Sequence, residues 1–309
     1  MSKRKTVIHS IKRIVKSPYM LLLPALLFYL LFWLLPVVMS IFQSFTTVDG
    51  TPTLQNFINM FNESRFMRAL INTLVFAVVS LTLQFFLAIL LALLINKKFK
   101  GSRLFLFFMI IPMALPQAAV GILWNTGLTE AGWLNSLFHV TGLQTVLESL
   151  GVLDGRTLWT NVTGTRAVMT IVLIDTWTVL PSVMIIILAG LQNFNRELSE
   201  AAQVFGASRG RAVKDIVIPI IKPSIVTALL LRLIAGLQVW LISVMIFGYG
   251  RVPYLLERVV YYMSVVARTD ANYRMAVSYS VFTLFVILTV AFLFVRLTSG
   301  KTEWRKADE

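Results

Sequence analysis

Residues 195–223 read NRELSEAAQVFGASRGRAVKDIVIPIIKP, and they lie between two long apolar windows, 167–191 and 225–248. Leu198, Ala201, Ala202 and Phe205 stand at i, i+3, i+4 and i+7, one stripe of a helix. Asn195 is placed to cap that helix, and Glu197 suits the positive end of its dipole. Gly206 stands where a left-handed residue would end it. Ser208 can cap a second helix, in which Val213, Ile216, Val217 and Ile220 repeat the spacing and Arg209, Arg211 and Lys214 stay polar. Pro219 is predicted to bend or end this helix, and Pro223 to open the next span, where its missing N–H costs little. The segment is therefore expected to form a helix–turn–helix lying against one face of a membrane. Two readings of its corner are open. Interfacial anchors carry large residues such as Trp, Phe and Leu. Ala201, Ala202, Gly206 and Ala207, with Glu200 beside them, instead suit close approach of a partner.

The surrounding chain explains why a polar insert is informative. Apolar residues make up 57% of it and charged residues 14%, against about 45–50% and about 25% in soluble domains. The excess falls in six windows, 19–43, 69–95, 104–124, 167–191, 225–248 and 275–298. Each has the ~20 residues that a helix needs to cross the hydrocarbon core. Helices are expected, because lipid offers the backbone no other hydrogen-bond partner. The first window is longer than the ~7–15 residues of a signal-peptide core, and no small-x-small cleavage site follows it; it reads as an uncleaved helix. Cysteine is absent, which excludes disulfides, zinc-thiolate sites and a thiol nucleophile.

The net charge of +14 invites a nucleic-acid reading, and its distribution removes it. With the N-terminus inside, 19 Lys and Arg fall on that side and 8 on the other. This is the positive-inside pattern, and such residues also attract anionic headgroups. The expected fold is an all-α membrane protein with six transmembrane helices and both termini cytoplasmic. The helix–turn–helix would then be a cytoplasmic loop between helices 4 and 5. Residues 1–17 form a basic cytoplasmic tail, 18–298 the membrane domain with its core at about 68–298, and 299–309 a second tail. Pro112 and Pro116 interrupt the third window. In the outer stretch 125–166, residues 133–140 are apolar but too few to span.

The 195–223 segment resembles the cytoplasmic loop of permease subunits of binding-protein-dependent ABC importers. That family carries E-A-A-x-x-x-G-A, a basic helix and an I-x-L-P-type ending. Here the matching residues are Glu200-Ala201-Ala202, Gly206-Ala207 and Ile216-Val217-Ile218-Pro219. Phe205 stands where the family often has Asp, so the polar role of that position does not carry over. The resemblance extends over about residues 18–298. It includes PTLQNFINMF, RFMRALINTLVFAVVSLTLQFFLAILLALLI, IIPMALPQAAVGILWNTGLTEAGWLN and IDTWTVLPSVMIIILAGLQNFNREL. The details are most similar to the carbohydrate-uptake branch, and to its maltose- and glycerol-phosphate-type first membrane subunit.

The resemblance implies a transport subunit rather than an enzyme. It would form half of a pathway in the cell membrane for a sugar or oligosaccharide delivered by an extracellular substrate-binding protein. Its partners would be a second permease chain, two cytoplasmic ATPase subunits and membrane lipid, with no nucleic acid. Glu200, Ala201, Ala202, Phe205, Gly206 and Ala207 would form the coupling loop seated on the ATPase, where Glu200 would pair with a basic residue. The chain itself would bind no cofactor or metal; ATP and Mg²⁺ would sit on the ATPase, since no G-x-x-x-x-G-K-[ST] loop is present. A carbohydrate path combines stacking aromatics with hydrogen-bonding groups, which selects Asn72, Gln84, Trp177, Gln238 and Trp240 as candidates. Asp175 and Arg232, the charged residues well inside the windows, either line the path or pair with each other. Three rival classes are weaker. An ion-coupled secondary transporter lacks a visible coupling-ion site or inverted repeat. A membrane enzyme would have only His9 and His139 and no paired in-span carboxylates, and a channel lacks a filter signature. Within the importer class, a non-sugar solute such as glycerol phosphate is the alternative.

Overall fold

The computed structural model describes residues 20, 22–152, 155, 157–248 and 253–298. The predicted tails at 1–17 and 299–309, and His9, lie outside these. The described chain is all-helical. Five helices are long and apolar enough to cross a membrane, or six if one sharply bent pair counts as a span. They are α1 (Leu23–Ser44), α3 (Phe66–Asn96), α8 (Gly164–Gln192), α10 (Arg209–Leu237) and α13 (Asp270–Thr298), with the bent pair α4 (Ser102–Ala114) and α5 (Gln117–Gly127). Shorter helices connect them: α2 (Gln55–Asn62), α6 (Trp133–Val140), α7 (Leu143–Ser149), α9 (Arg196–Val204), α11 (Leu241–Phe247) and α12 (Leu256–Tyr261).

Helix α3 shows how the bundle packs. At 31 residues it is about 46 Å long, and it is apolar on every side. The faces differ in side-chain size. Ala69, Thr73, Ala77, Ser80, Gln84, Ala88 and Ala92 recur every three or four residues and are buried. Ile71, Val78, Phe86, Leu90 and Leu94 stay exposed. Water provides no drive between helices inside lipid, so close approach over small residues supplies the contact. Helix α8 receives the later part of that stripe, Ala88 and Ala92, and is the most enclosed span, also packing against α10 and α4. Ala88, Ala92, Met184, Ile187, Ile221 and Ile225 form one core cluster among these helices.

The polar groups on this interface satisfy each other. Gln84 on α3, Asp175 on α8 and Arg232 on α10 are all buried. Arg232 Nη2 donates to Asp175 Oδ2, and Arg232 Nε donates to Gln84 Oε1 at 2.6 Å. Gln84 Nε2 donates to the same Asp175 oxygen at 2.9 Å. The guanidinium also lies 6.0 Å from the centre of the Phe76 ring. Three helices are thus tied by one closed polar cluster.

Of two breaks in the spans, the first follows the sequence-based expectation and the second differs from it. The third window bends by 96° between α4 and α5, where Pro116 cannot continue α4. The window 225–248 is not a single helix. Helix α10 starts earlier, at Arg209, and ends at Leu237; the chain turns through Gln238–Trp240 before α11. No proline marks this second break. It is stabilised by the first, because α5 and α11 pack on each other. Gly121 lies against Met245, and Asn125 Nδ2 donates to the Ile246 carbonyl at 2.8 Å. Pro219 does not end the second helix of the polar segment either. A π-turn at Val213–Val217 precedes it, with Ile218 N–H bonded to the Val213 carbonyl five residues back. The widened turn takes the proline without a break, so that helix is continuous with α10.

At the far end of the bundle, Arg274 of α13 donates to the carbonyl of Thr46 at 3.0 Å and ties the end of α1. Tyr279, Phe66, Met60, Leu256 and Met263 form the core there.

Two outcomes test this packing. A Cβ at Gly121 would stand 2.3 Å from Met245 Cβ, so Gly121→Ala is expected to cost about 1–3 kcal/mol. The loss should shrink in a Met245→Gly background, which a double-mutant cycle of unfolding in detergent measures. Arg232→Met strands the Asp175 carboxylate and is expected to cost about 3–5 kcal/mol, most of it recovered when Asp175→Leu is added. A double variant no more stable than Arg232→Met would show that the pairing is not what holds these helices.

Candidate functional site

Helix α9 is closed at both ends by local chemistry. Asn195 Oδ1 accepts from the Glu197 N–H at 3.0 Å. At the other end Gly206 has φ +90°. Gly206 N–H bonds the Gln203 carbonyl at 3.0 Å, and Ala207 N–H reaches back to the Ala202 carbonyl at 2.9 Å. These paired bonds are a Schellman ending. A Cβ on Gly206 would meet nothing within 4 Å. Glycine is required there for its backbone angle, not for room. Ser208 Oγ then accepts from Arg211 N–H at 3.3 Å and starts α10.

The rest of the bundle covers the predicted stripe only in part. Of its members Phe205 is 90% exposed and Leu198 49%, and Val204 beside Phe205 is 84% exposed. Ala201 is exposed, and Ala202 and Ala207 are half-buried. The physical reason is the Schellman turn. It swings the chain at Gly206 so that the C-terminal tip of α9 projects from the bundle. Glu200 lines a cleft that α9 forms with the ends of α3, α8 and α10.

The candidate pathway residues divide into two groups. Gln84, Asp175 and Arg232 are buried and engaged with one another, as described above. Asn72 is committed as well, since its Nδ2 donates to the Tyr254 carbonyl at 3.0 Å. Its neighbour Thr73 accepts from Leu256 N–H at 3.0 Å. Together they fix the start of α12 onto α3. The remaining three retain accessible surface, Trp177 in the middle of α8 and Gln238 and Trp240 at the turn between α10 and α11. Trp177 is 38% exposed and meets Trp124 edge-on, with ring centres 5.7 Å apart. Trp240 stacks on Tyr261 at 4.7 Å. Gln238 is exposed at the turn between α10 and α11. These groups offer ring faces and an amide, the chemistry that a hydroxylated solute uses.

Two buried polar residues escape sequence reasoning. Arg258 donates to Ser243 Oγ at 3.1 Å and to the carbonyls of Pro253 at 2.6 Å and Gly248 at 2.5 Å. Burial lowers its guanidinium to about 10, a value that leaves it charged at neutral pH. It holds together the two ends of the 248–253 connection. Asn135 Nδ2 serves the carbonyls of Thr129, Glu130 and Thr157, and its Oδ1 accepts from Trp159 Nε1. All these partners are carbonyls or side chains brought close by turns, so residue type and spacing carry no trace of them.

Comparison with known proteins places this architecture. The model of the "Binding-protein-dependent transport system inner membrane component" family matches residues 84–299. The trehalose/maltose transport system permease protein MalF of Thermococcus litoralis is 30% identical over 244 residues, covering 77% of this chain and 79% of that protein. The sulfoquinovosyl glycerol transport system permease protein SmoG of Agrobacterium fabrum is 29% identical over 283 residues, covering 89% and 88%. A chain from the crystal structure of a bacterial ABC transporter that imports the acidic polysaccharide alginate superposes with a TM-score of 0.75. It is 23% identical and covers 98% of this chain and all of its own length. The protein therefore belongs to the inner-membrane permease family of binding-protein-dependent transport systems, a multi-pass transport component of the ABC type.

Proposed function

We propose that this chain forms half of the translocation pathway of an ATP-driven importer for a sugar or oligosaccharide. Family membership supports the importer role and the need for an external binding protein. The solute class is supported by the relatives named for trehalose/maltose and for sulfoquinovosyl glycerol. Trp177, Gln238 and Trp240 are the residues assigned to solute contact, because they keep accessible surface, Trp177 beside Trp124 of α5 and the other two at the turn between α10 and α11. The other half of the pathway is assigned to a second permease chain, and ATP with Mg²⁺ to two separate ATPase subunits.

The observation that carries the energetic part is the projecting tip of α9. Val204 and Phe205 stand almost fully exposed on a helix already capped by its own residues. Such a surface is suited to a protein partner. The excess of basic residues in the adjoining loops supports a cytoplasmic position, with both termini on that side. On this reading α9 seats on a cytoplasmic ATPase. Closure of the ATPase dimer would then favour one of two global arrangements of the spans. Phe205 makes the contact more apolar than an acidic residue there would.

Reconstitution with the cognate ATPase, second permease and binding protein tests the reading. Glu200→Lys and Gly206→Val are expected to leave the chain inserted while uptake falls to background and ATP hydrolysis no longer responds to the binding protein. Gly206→Asn should be much milder, because Asn tolerates the left-handed conformation. Normal uptake in both of the first two variants would sink the assignment of α9. A binding protein that ignores a panel of sugars but takes a non-sugar solute would overturn the solute class alone.

A further inference from the structure

A cleft of about 930 Å³ opens between the last turns of α3 and α8, helix α9 and the first turns of α10. Leu90, Leu93, Leu94 and Lys97 all line it. They stand at i, i+3, i+4 and i+7 on α3, so one helix face presents three leucines and then a cation. Arg209 and Lys214 of α10 supply two more cations at the rim, and Glu200 supplies one carboxylate. The mouth is therefore net positive above an apolar floor.

The floor is continuous with the outer surface of the bundle. Leu90 is 63% exposed and Leu94 41%, and Phe86, one turn earlier, is 60% exposed. A free anion would use the rim and leave the leucines bare. An uncharged lipid would cover the leucines and leave the cations uncompensated. A molecule with a negative headgroup and an acyl chain matches both. Its depth matches too, because Lys97 follows directly on the last residue of a 31-residue apolar helix, which puts the rim at headgroup level. Basic pockets between membrane helices are suited to anionic headgroups.

We propose that this cleft binds one anionic phospholipid. Its phosphate sits among Lys97, Arg209 and Lys214, and an acyl chain runs along Leu90, Leu93 and Leu94. The lipid would lie beside Glu200 on the inner side of α9, and so would help set where that helix stands. The proposal needs only that these helices cross a bilayer; it does not depend on the solute or on the ATPase.

Native mass spectrometry of the full chain tests it, in mixed micelles holding equal phosphatidylglycerol and phosphatidylcholine. The unaltered chain should retain phosphatidylglycerol over phosphatidylcholine. K97Q/K214Q should lower that preference by about tenfold or more. K98Q/R103Q removes the same charge from the neighbouring loop, outside the cleft, and should leave it unchanged. Leu93→Trp, which fills the floor without altering charge, should also reduce retention. Equal retention of the two lipids by the unaltered chain would overturn the site. So would equal losses in K97Q/K214Q and K98Q/R103Q, which would mean diffuse attraction only.

Discussion

Inside a bilayer, apolar side chains gain nothing by leaving lipid for one another, and this constraint shapes the rest of the structure. Helices can meet closely only where side chains are small, or where polar groups find partners that lipid cannot provide. The chain uses both devices on the same surfaces. Helix α3 turns a stripe of Ala, Ser and Thr residues inward and leaves Ile71, Val78, Phe86, Leu90 and Leu94 outward, while Phe66 and Phe76 fill the core beside the stripe. At the level of Gln84 the stripe of small residues gives way to the cluster that joins α3, α8 and α10. The size contrast sets which face is buried, and the cluster sets the register of three helices.

The same constraint explains where helices break. A kinked or ended helix exposes carbonyl and N–H groups, so a break survives in a membrane protein only where other protein covers it. Here two breaks cover each other. The bend at Pro116 and the turn at Gln238–Trp240 produce α5 and α11, which pack together through Gly121 and Asn125. The turn at Gln238–Trp240 leaves Gln238 and Trp240 with accessible surface, whereas Gln84, Asp175 and Arg232 bond one another within the bundle.

Much of the site was legible in the sequence because its chemistry is local. Asn195, Gly206 and Ser208 act on backbone groups within a few residues of themselves, and their types and spacing announce caps and a left-handed turn. The proline break in the third window was legible for the same reason. The π-turn that carries the chain through Pro219 was not, since nothing in the types of residues 213–217 distinguishes five-residue from four-residue bonding. The break after Leu237 was equally hidden, because apolar residues continue on both sides of Gln238 and no proline marks it.

What the sequence determined alone is the solvent and the local punctuation: apolar windows of sufficient length, charge gathered in particular loops, and capping residues in order. What only the tertiary structure decided is the set of partners. It closed Asp175 and Arg232 with Gln84, which lies 91 residues before Asp175. It turned the Leu198–Phe205 stripe outward, and it joined α3, α9 and α10 around one amphipathic cleft. The physical reason is range. Propensity and periodicity report interactions within one or two helical turns. Which faces meet is decided by packing and polar closure between segments far apart in the chain.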